Sequence, residues 1–423
     1  MGDAVGVGMI GLGTVGAAVA ARLLGEWDLL GGRAGAVPVL RRVAVRDTGR
    51  RRDLPPVIRL DGDARALVDD PAVAVVVEVM GGVDEASSLI ERALRAGKPV
   101  VTANKAAMAA HGLALAALAH ETGTSLRYEA AAGAGLPVVA MLRDSLRGDR
   151  IDALEMIING TTNIMLTRME RDGASLGEAL RDAQRRGFAE SDPSADIDGH
   201  DAAAKLVLLG RLAFDAALDT DDVAVAGIRE LDRADVGCAR VLGASVKLVA
   251  HAQRTPGGVA LSVRPTVVCA GHPLHGVDDD ANAVVVCTDL AGPVVLRGRG
   301  GGGASTASAV VSDVVAAVRA PDEPPPLPVD PAESADPGAV ERGGYVRVHL
   351  AATADAGQLV RAALEDRGLV VLASTELSPD GGEQIALLTA PAPREMLDRA
   401  VETLDSLAAV GAVAAVMDCV VAA

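Results

Sequence analysis

Forty of the 423 residues are Lys or Arg, yet only four are lysine: Lys98, Lys105, Lys205 and Lys247. A chain that otherwise takes its positive charge from arginine keeps lysine where a guanidinium cannot substitute. Arginine stays protonated at any working pH, whereas a partly desolvated ammonium can give up and take back a proton. Lys105 and Lys205 are therefore candidates for proton transfer. Lys98, in the turn AGKP, reads as a solvated tip, and Lys247, in ASVKLVAHA, as a structural residue. Lys205 closes a stretch, 187–209, that reads GFAESDPSADIDGHDAAAKLVLL. There Glu190, Asp192, Asp196, Asp198 and Asp201 form an acidic loop ahead of a helix capped by His200 or Asp201. Asp201 and Lys205 share one helical face near the positive end of the macrodipole. Carboxylates beside one ammonium suit a zwitterionic amino-acid ligand; the same stretch also reads as a solvated acidic loop with a surface ion pair.

The first residues of the chain carry a separate signal. Val5 to Ile10 reads as a short apolar strand, followed by Gly11-Leu12-Gly13-Thr14-Val15-Gly16 and an Ala-rich helix through Leu24. This is G-x-G-x-x-G in its strand–turn–helix setting. Its glycines make the tight turn, admit backbone to a pyrophosphate and let helix and strand pack closely. Dinucleotide binding is expected at Gly11, Gly13, Thr14, Val15 and Gly16. The strand from Pro38 to Val45 ends in Arg46-Asp47, with Arg50, Arg51 and Arg52 close behind. The basic cluster led by Arg46 favours the 2′-phosphate of NADP(H), and Asp47 leaves NAD(H) open. An ordinary Arg-rich loop is the competing reading. Two more buried strands end in Met80-Gly81-Gly82 and in Thr102-Ala103-Asn104-Lys105. Ligands bind at that edge of open parallel sheets, which puts Gly81, Thr102 and Lys105 in the cleft.

Downstream elements are less explicit. The small-residue turn 129–137, EAAAGAGLP, either presents carbonyls that hold a monovalent cation with Glu129 or is a plain tight turn. The strand from Ile151 to Ile158 runs into Asn159-Gly160-Thr161-Thr162-Asn163 and a helix, where polar side chains either cap the helix or bind substrate. Residues 222–295 read as alternating short helices and strands; the HxxH of His272 and His275 lacks a local Cys or Glu to complete a zinc site. A glycine run to Gly302 and Gly303 opens a small-residue helix to Arg319, where backbone or cofactor approaches closely. Seven prolines between 321 and 340, with acids and no base, mark a stiff linker. The rest predicts a βαββαβ ferredoxin-like unit without a catalytic cluster, a regulatory or pairing module.

The expected organisation is α/β. Residues 1–137 form a Rossmann-type dinucleotide-binding domain, completed by a helix at about 304–320. An α+β catalytic and dimerisation domain covers 138–303, a linker 321–341 and the ferredoxin-like module 342–423. The net charge of −17 argues against nucleic acid or an anionic membrane as partner. No apolar run reaches the roughly 20 residues of a membrane span. Cys238, Cys269, Cys287 and Cys419 lie apart without a CxxC pair, and no basic segment precedes an N-terminal apolar run, so a reduced cytoplasmic protein is expected.

Taken together, GLGTVG, VVEVMGG, GKPVVTANKA, YEAAAGAGLP, NGTTN, FAESDPSADIDGHDAAAKL and GRGGGGASTASAVVSD, in this order, resemble the homoserine dehydrogenases that carry a C-terminal ACT domain. The resemblance covers nearly the whole chain. It implies NAD(P)H-dependent reduction of L-aspartate 4-semialdehyde to L-homoserine, or the reverse, in threonine, methionine and isoleucine biosynthesis. By position it implies Lys205 as proton donor, Lys105 as the second catalytic lysine and Glu190 as the ligand of the substrate ammonium. Asp196 and Asp201 would orient substrate and Lys205, and Gly160 and Thr161 would line the site. Glu129 with the carbonyls of Ala132, Ala134 and Leu136 would hold Na+ or K+. It further implies a homodimer or homotetramer and threonine as an effector at the ACT domain. Three positions depart from the pattern: Phe188 stands for the usual Tyr, Ile164 for an aromatic after NGTTN, and Ser305 for a frequent Pro. The ACT segment has Ala354-Asp355-Ala356-Gly357 where a D-K-P-G-like turn is common. The rival readings are a related dehydrogenase with altered substrate choice and a non-catalytic sensor of the same ligands.

Overall fold

The computed structural model describes residues 3–49, 55, 58–327, 333–353, 355–378 and 382–421. Arg50, Arg51 and Arg52, part of the linker, Ala354 and the turn residues Pro379, Asp380 and Gly381 lie outside the described residues. The chain divides into two units, one of Met1–Arg150, Ala204–Thr220 and Gly298–Ala332, the other of Ile151–Ala203, Asp221–Arg297 and Glu333–Ala423.

In the first unit β1 (Ala4–Ile10), β2 (Val37–Ala44), β3 (Arg59–Asp61), β4 (Val75–Glu78), β5 (Val100–Thr102) and β6 (Leu126–Arg127) form one sheet. It is ordered β3-β2-β1-β4-β5-β6, and every neighbouring pair is parallel. The sequence reason is local. Strands such as Val75–Glu78 are buried at every position, as strands covered on both faces must be. The helices between them show apolar stripes, as in Asp84–Arg95, whose Ala86, Leu89, Ile90, Ala93 and Leu94 are buried. The helix Gly303–Arg319 adds Val310, Val311 and Val314 to the core that holds Val7, Met9 and Val77. Each such fully buried side chain contributes on the order of 1.5–3 kcal/mol.

The second unit holds one mixed sheet. Its strands are β7 (Ile151–Ile157), β8 (Val223–Val225), β9 (Ala244–Thr255), β10 (Gly258–Cys269), β11 (Ala281–Thr288) and β12 (Pro293–Arg299). They continue with β13 (Ser334–Ala335), β14 (Gly343–Leu350), β15 (Val371–Leu377), β16 (Gln384–Thr389) and β17 (Val410–Val420). The path is β12-β11-β7-β9-β10-β17-β14-β16-β15, with β8 and β13 also pairing β10. The expectation of short mixed elements over 222–295 fails here. After the helix Arg233–Val241, the chain spends its residues on long antiparallel strands, β9 against β10 over twelve pairs from Thr255↔Gly258 to Ala244↔Cys269. Alternation along such strands is weak in sequence because both faces are buried over most of β9.

The last strands, with helices Ala356–Glu365 and Arg394–Asp405, form a βαββαβ unit in the order fourth, first, third, second strand, around Val346, Val348, Val360, Leu364 and Leu404. Its strand β17 pairs in parallel with β10, so the two sheet segments are continuous.

Candidate active site

The glycine turn is built by backbone geometry in the first unit. Gly11 has φ +101°, and a Cβ there would meet the Val79 carbonyl oxygen at 2.5 Å. A Cβ on Gly16 would come within 2.5 Å of the Gly11 carbonyl oxygen, so the helix Thr14–Gly25 rests directly on the turn. Gly13 has open space around it. A cavity of about 370 Å³ at these strand ends is lined by Gly11, Gly13, Arg46, Asp47, Val79 and Met80, among others. An open face at Gly13 beside exposed Arg46 fits a dinucleotide: pyrophosphate against backbone amides, ribose toward the second strand. The distant glycine run joins the same place. A Cβ on Gly303 would lie 2.8 Å from the Thr14 methyl, and Gly302, at φ +100°, starts the helix Gly303–Arg319. Val15 is half-buried beside it.

Lys105 opens the helix Lys105–Thr122 at the carboxyl end of β5. The residues before it form a hydrogen-bonded relay that the sequence did not reveal. Glu78, fully buried, accepts from the Thr102 hydroxyl at 2.5 Å and the Met80 amide at 2.8 Å. The Thr102 oxygen accepts from the Asn104 amide at 3.0 Å, and Asn104 Nδ2 donates to the Gly82 carbonyl at 2.7 Å. Asn104 also caps the helix through the Ala107 amide. Gly81 and Gly82 carry φ of +92° and +84°, which turn the loop after β4. One buried carboxylate thus fixes the backbone on which Lys105 stands.

Lys205 belongs to the helix His200–Phe214, and Arg211, further along it, ties that helix to the one Lys105 opens. The largely buried Arg211 guanidinium donates to the Met108 and Ala109 carbonyls at 3.0 Å each, and to the Leu218 carbonyl at 2.8 Å. Both lysine-bearing segments are in the first unit, and Arg211 fixes one against the other.

The acidic stretch lies in the second unit up to Ala203. The helix starts at His200, so Asp201 sits in its first turn and Gly199, at φ +88°, precedes it. Asn159 organises the carboxylates: its Nδ2 donates to Asp196 at 2.7 Å and to buried Asp201 at 2.8 Å. Its Oδ1 accepts from the Thr162 amide at 2.9 Å and caps the helix Gly160–Asp172. Capping and carboxylate binding are thus both properties of one side chain. The Thr161 hydroxyl donates to the Phe188 carbonyl at 2.9 Å, so it positions the loop that carries Glu190. Phe188 is 42% exposed, with the Arg186 guanidinium 4.9 Å over its ring. Glu190 is exposed, and Gly160 and Asp196 are half-buried.

The turn after β6 is assembled around Glu129. Its carboxylate accepts from the Val139 and Ala140 amides at 2.9 and 2.8 Å, and its own amide donates to Asp313 at 2.8 Å. Burial pushes both carboxyls up. Asp313 reaches about 7, first through desolvation and then through the Glu129 charge. A Cβ on Gly133 would sit 2.1 Å from the Leu136 carbonyl oxygen and 2.8 Å from Glu129 Oε1. Ala134 holds φ +53°, and Ala132 is fully buried. Ser305 donates to the Gly301 carbonyl at 2.6 Å, a role a proline could not fill.

The other two lysines part company. Lys247 is fully buried with Nζ 2.8 Å from Asp278. Lys98 is not a loose solvated tip: its Nζ donates to the Val68 and Asp70 carbonyls at 2.6 and 2.7 Å. His272 pairs with Glu155 at 2.9 Å, and no cluster of three or more His, Cys, Asp or Glu able to hold a metal occurs among the described residues.

A parallel sheet of this order, with a glycine turn at its first strand end and Lys105 at the ligand edge, defines the class of dinucleotide-binding α/β proteins. Comparison with known proteins narrows this. The family models "Homoserine dehydrogenase, NAD binding domain" and "Homoserine dehydrogenase" match residues 11–129 and 137–315. The chain belongs to the homoserine dehydrogenase family, and is an oxidoreductase that acts on CH–OH with NAD(P). It is 37% identical over 436 residues to the homoserine dehydrogenase of Mycobacterium tuberculosis (strain ATCC 25618 / H37Rv), covering 98% of this chain and 97% of that one. It is 40% identical to that of Bacillus subtilis (strain 168), over 75% of this chain and 73% of the relative. The crystal structure of a homoserine dehydrogenase from Thiobacillus denitrificans superposes with a TM-score of 0.90 at 33% identity, covering all of both chains. A hyperthermophilic archaeal homoserine dehydrogenase in complex with NADPH matches with a TM-score of 0.64 at 29% identity, over 74% of this chain and 97% of that one. Among the described residues no helix is long and apolar enough to cross a membrane.

Proposed function

We propose that this chain reversibly reduces L-aspartate 4-semialdehyde to L-homoserine, the aldehyde step toward threonine, methionine and isoleucine. The observation that carries the reading is the pair of lysine-bearing helices tied by Arg211 in the unit that holds the glycine turn. The bound cofactor supplies or accepts the hydride. Lys105 and Lys205 stabilise the oxygen as it gains negative charge, and Lys205 protonates it; in the other direction Lys205 takes the hydroxyl proton. Glu190 holds the substrate ammonium, Asp196 and Asp201 orient substrate and Lys205, and Gly160 and Thr161 line the site. Asn159, which donates to both aspartates, supports that division of roles.

NADP(H) is the favoured coenzyme, because Arg46 lines the cavity at the second strand end; Asp47 beside it keeps NAD(H) usable. Glu129, with the carbonyls of Ala132, Ala134 and Leu136, holds Na+ or K+; the convergence of Glu129 Oε1 and the Leu136 carbonyl on Gly133 supports this. The domains run 1–137, completed by the helix near 304–320, then 138–303, the linker 321–341 and an ACT module at 342–423 that takes threonine. The enzyme works as a cytoplasmic homodimer or homotetramer. Nicotinamide absorbance, followed with homoserine and each coenzyme, with and without threonine and with Na+ or K+, tests these readings together. Absorbance that stays flat with homoserine under both coenzymes overturns the substrate assignment.

A further inference from the structure

A second polar cavity, of about 540 Å³, lies within the second unit where the long strands meet the C-terminal module. Its floor is one face of the sheet. Ala260, Ser262 and Arg264 alternate along β10, and His251 of β9 is the direct cross-strand partner of Ser262. Arg342, Arg394 and Asp418 close it from the other side.

Three arginines and four acids line the cavity, and they are unevenly paired. Asp418, almost buried, is shared by three guanidinium groups. Arg394 lies 3.2 Å from it, Arg264 3.7 Å and Arg342 4.0 Å. Only the first is at hydrogen-bond distance. Arg264 Nε is buried with no partner, and the Arg342 side chain is only 12% exposed. The remaining acids are committed elsewhere: Asp398 to Arg394 Nε at 2.8 Å, Glu395 to Arg399 at 3.2 Å, Asp336 to the Gly338 amide at 2.8 Å. Glu155, opposite His251 on β7, is held by His272 at 2.9 Å. His251 itself is 3% exposed. Burial, then the charges of Arg342 and Arg264, hold its imidazole pKa well below the ordinary histidine value. Arg264 is 27% exposed as a side chain, yet its buried Nε lacks a partner, and a donor left so is costly unless a ligand completes it.

We propose that this cavity is a binding site for a small oxyanion, a carboxylate or phosphate group received by Arg264 and Arg342 with Ser262 and His251 beside it. The volume accommodates a compact metabolite carrying such a group. None of these residues belongs to the catalytic or coenzyme sites above, so occupancy is separable from turnover.

Equilibrium dialysis of the full chain against labelled succinate and labelled inorganic phosphate, with chloride holding ionic strength constant, tests this. One saturable site for at least one probe is expected, and the tighter of the two names the group. Arg264→Gln and Arg342→Gln each weaken it by roughly tenfold or more, the size of losing a charged hydrogen bond. Ser262→Ala weakens it severalfold and serves should an arginine variant fail to fold. No saturable uptake of either probe by the parent below about 10 mM, a Kd weaker than about 3 kcal/mol of binding, overturns the proposal. Unchanged affinity in every variant that folds overturns it equally.

Discussion

The segment that carries Lys105 and the segment that carries Glu190 hold their charged groups in opposite ways. Lys105 stands on backbone pinned by a fully buried carboxylate, Glu78, through Thr102, Asn104 and Gly82. Its helix is pinned again from Arg211, three of whose donors end on carbonyls. Glu190 sits exposed on a loop held at its backbone by the Thr161 hydroxyl, a Gln184 side-chain amide and the Phe188 and Ala189 amides that reach the Ala183 carbonyl, with none of these bonds reaching its own carboxylate. Proton transfer to a growing alkoxide demands placement to a fraction of an ångström, whereas an ammonium ligand tolerates some movement. Rigid support is spent on the step where misplacement costs rate.

That contrast can be broken from the rigid side first. Lys205→Ala or Lys105→Ala should lower kcat by roughly 10²–10⁴, the range of a lost general acid, with coenzyme affinity by fluorescence titration nearly unchanged. Near-parental turnover in both would end the assignment. Arg211→Ala should come next, since it removes the three donors that tie its helix to the Met108, Ala109 and Leu218 carbonyls. It should cost about 1–3 kcal/mol in urea unfolding, and kcat should fall with little change in KM. A stable Arg211→Ala enzyme with normal kcat would dissolve the idea that this arginine positions the lysines. On the adaptable side, Glu190→Gln should raise the homoserine KM about tenfold and leave kcat within a few-fold. An unchanged KM would remove its ammonium role.

A last effect, on stability rather than turnover, concerns Asp313. Its carboxyl is pushed up to about 7 in the folded chain, above the ordinary 3.8, so the folded state binds this proton more tightly than the unfolded state. Its contribution is complete below about pH 4 and lost as pH rises through 7. Parental urea midpoints should fall from pH 5 to pH 8, and Asp313→Asn, which can still accept from the Glu129 amide, should flatten that slope. Equal slopes in the two proteins would show that the proton lies elsewhere.

How much was legible depended on sequence separation. GLGTVG, Thr102-Ala103-Asn104-Lys105 and the C-terminal βαββαβ unit are each set by neighbours, and each folds where its pattern says. The strands of 222–295 were misread because burial on both faces erases the alternation that marks a strand. Lys98 was misread because its acceptors, the Val68 and Asp70 carbonyls, are thirty and twenty-eight residues away. Asn159 looked like a cap, and is one, but its second task depends on Asp196 and Asp201 arriving from another segment. Arg211 gave no signal, since one more arginine in an apolar helix has no pattern of its own.

By itself the chain order determined the dinucleotide fold, the residue types available for hydride and proton chemistry, and the family. These rest on backbone preferences and spacing, which act over a few residues. Tertiary structure alone decided which lysines are anchored or buried, which carboxylate takes a raised proton affinity, and which arginines gather around one buried aspartate. Those properties come from desolvation and from hydrogen bonds spanning a hundred residues, and neither exists until the segments meet.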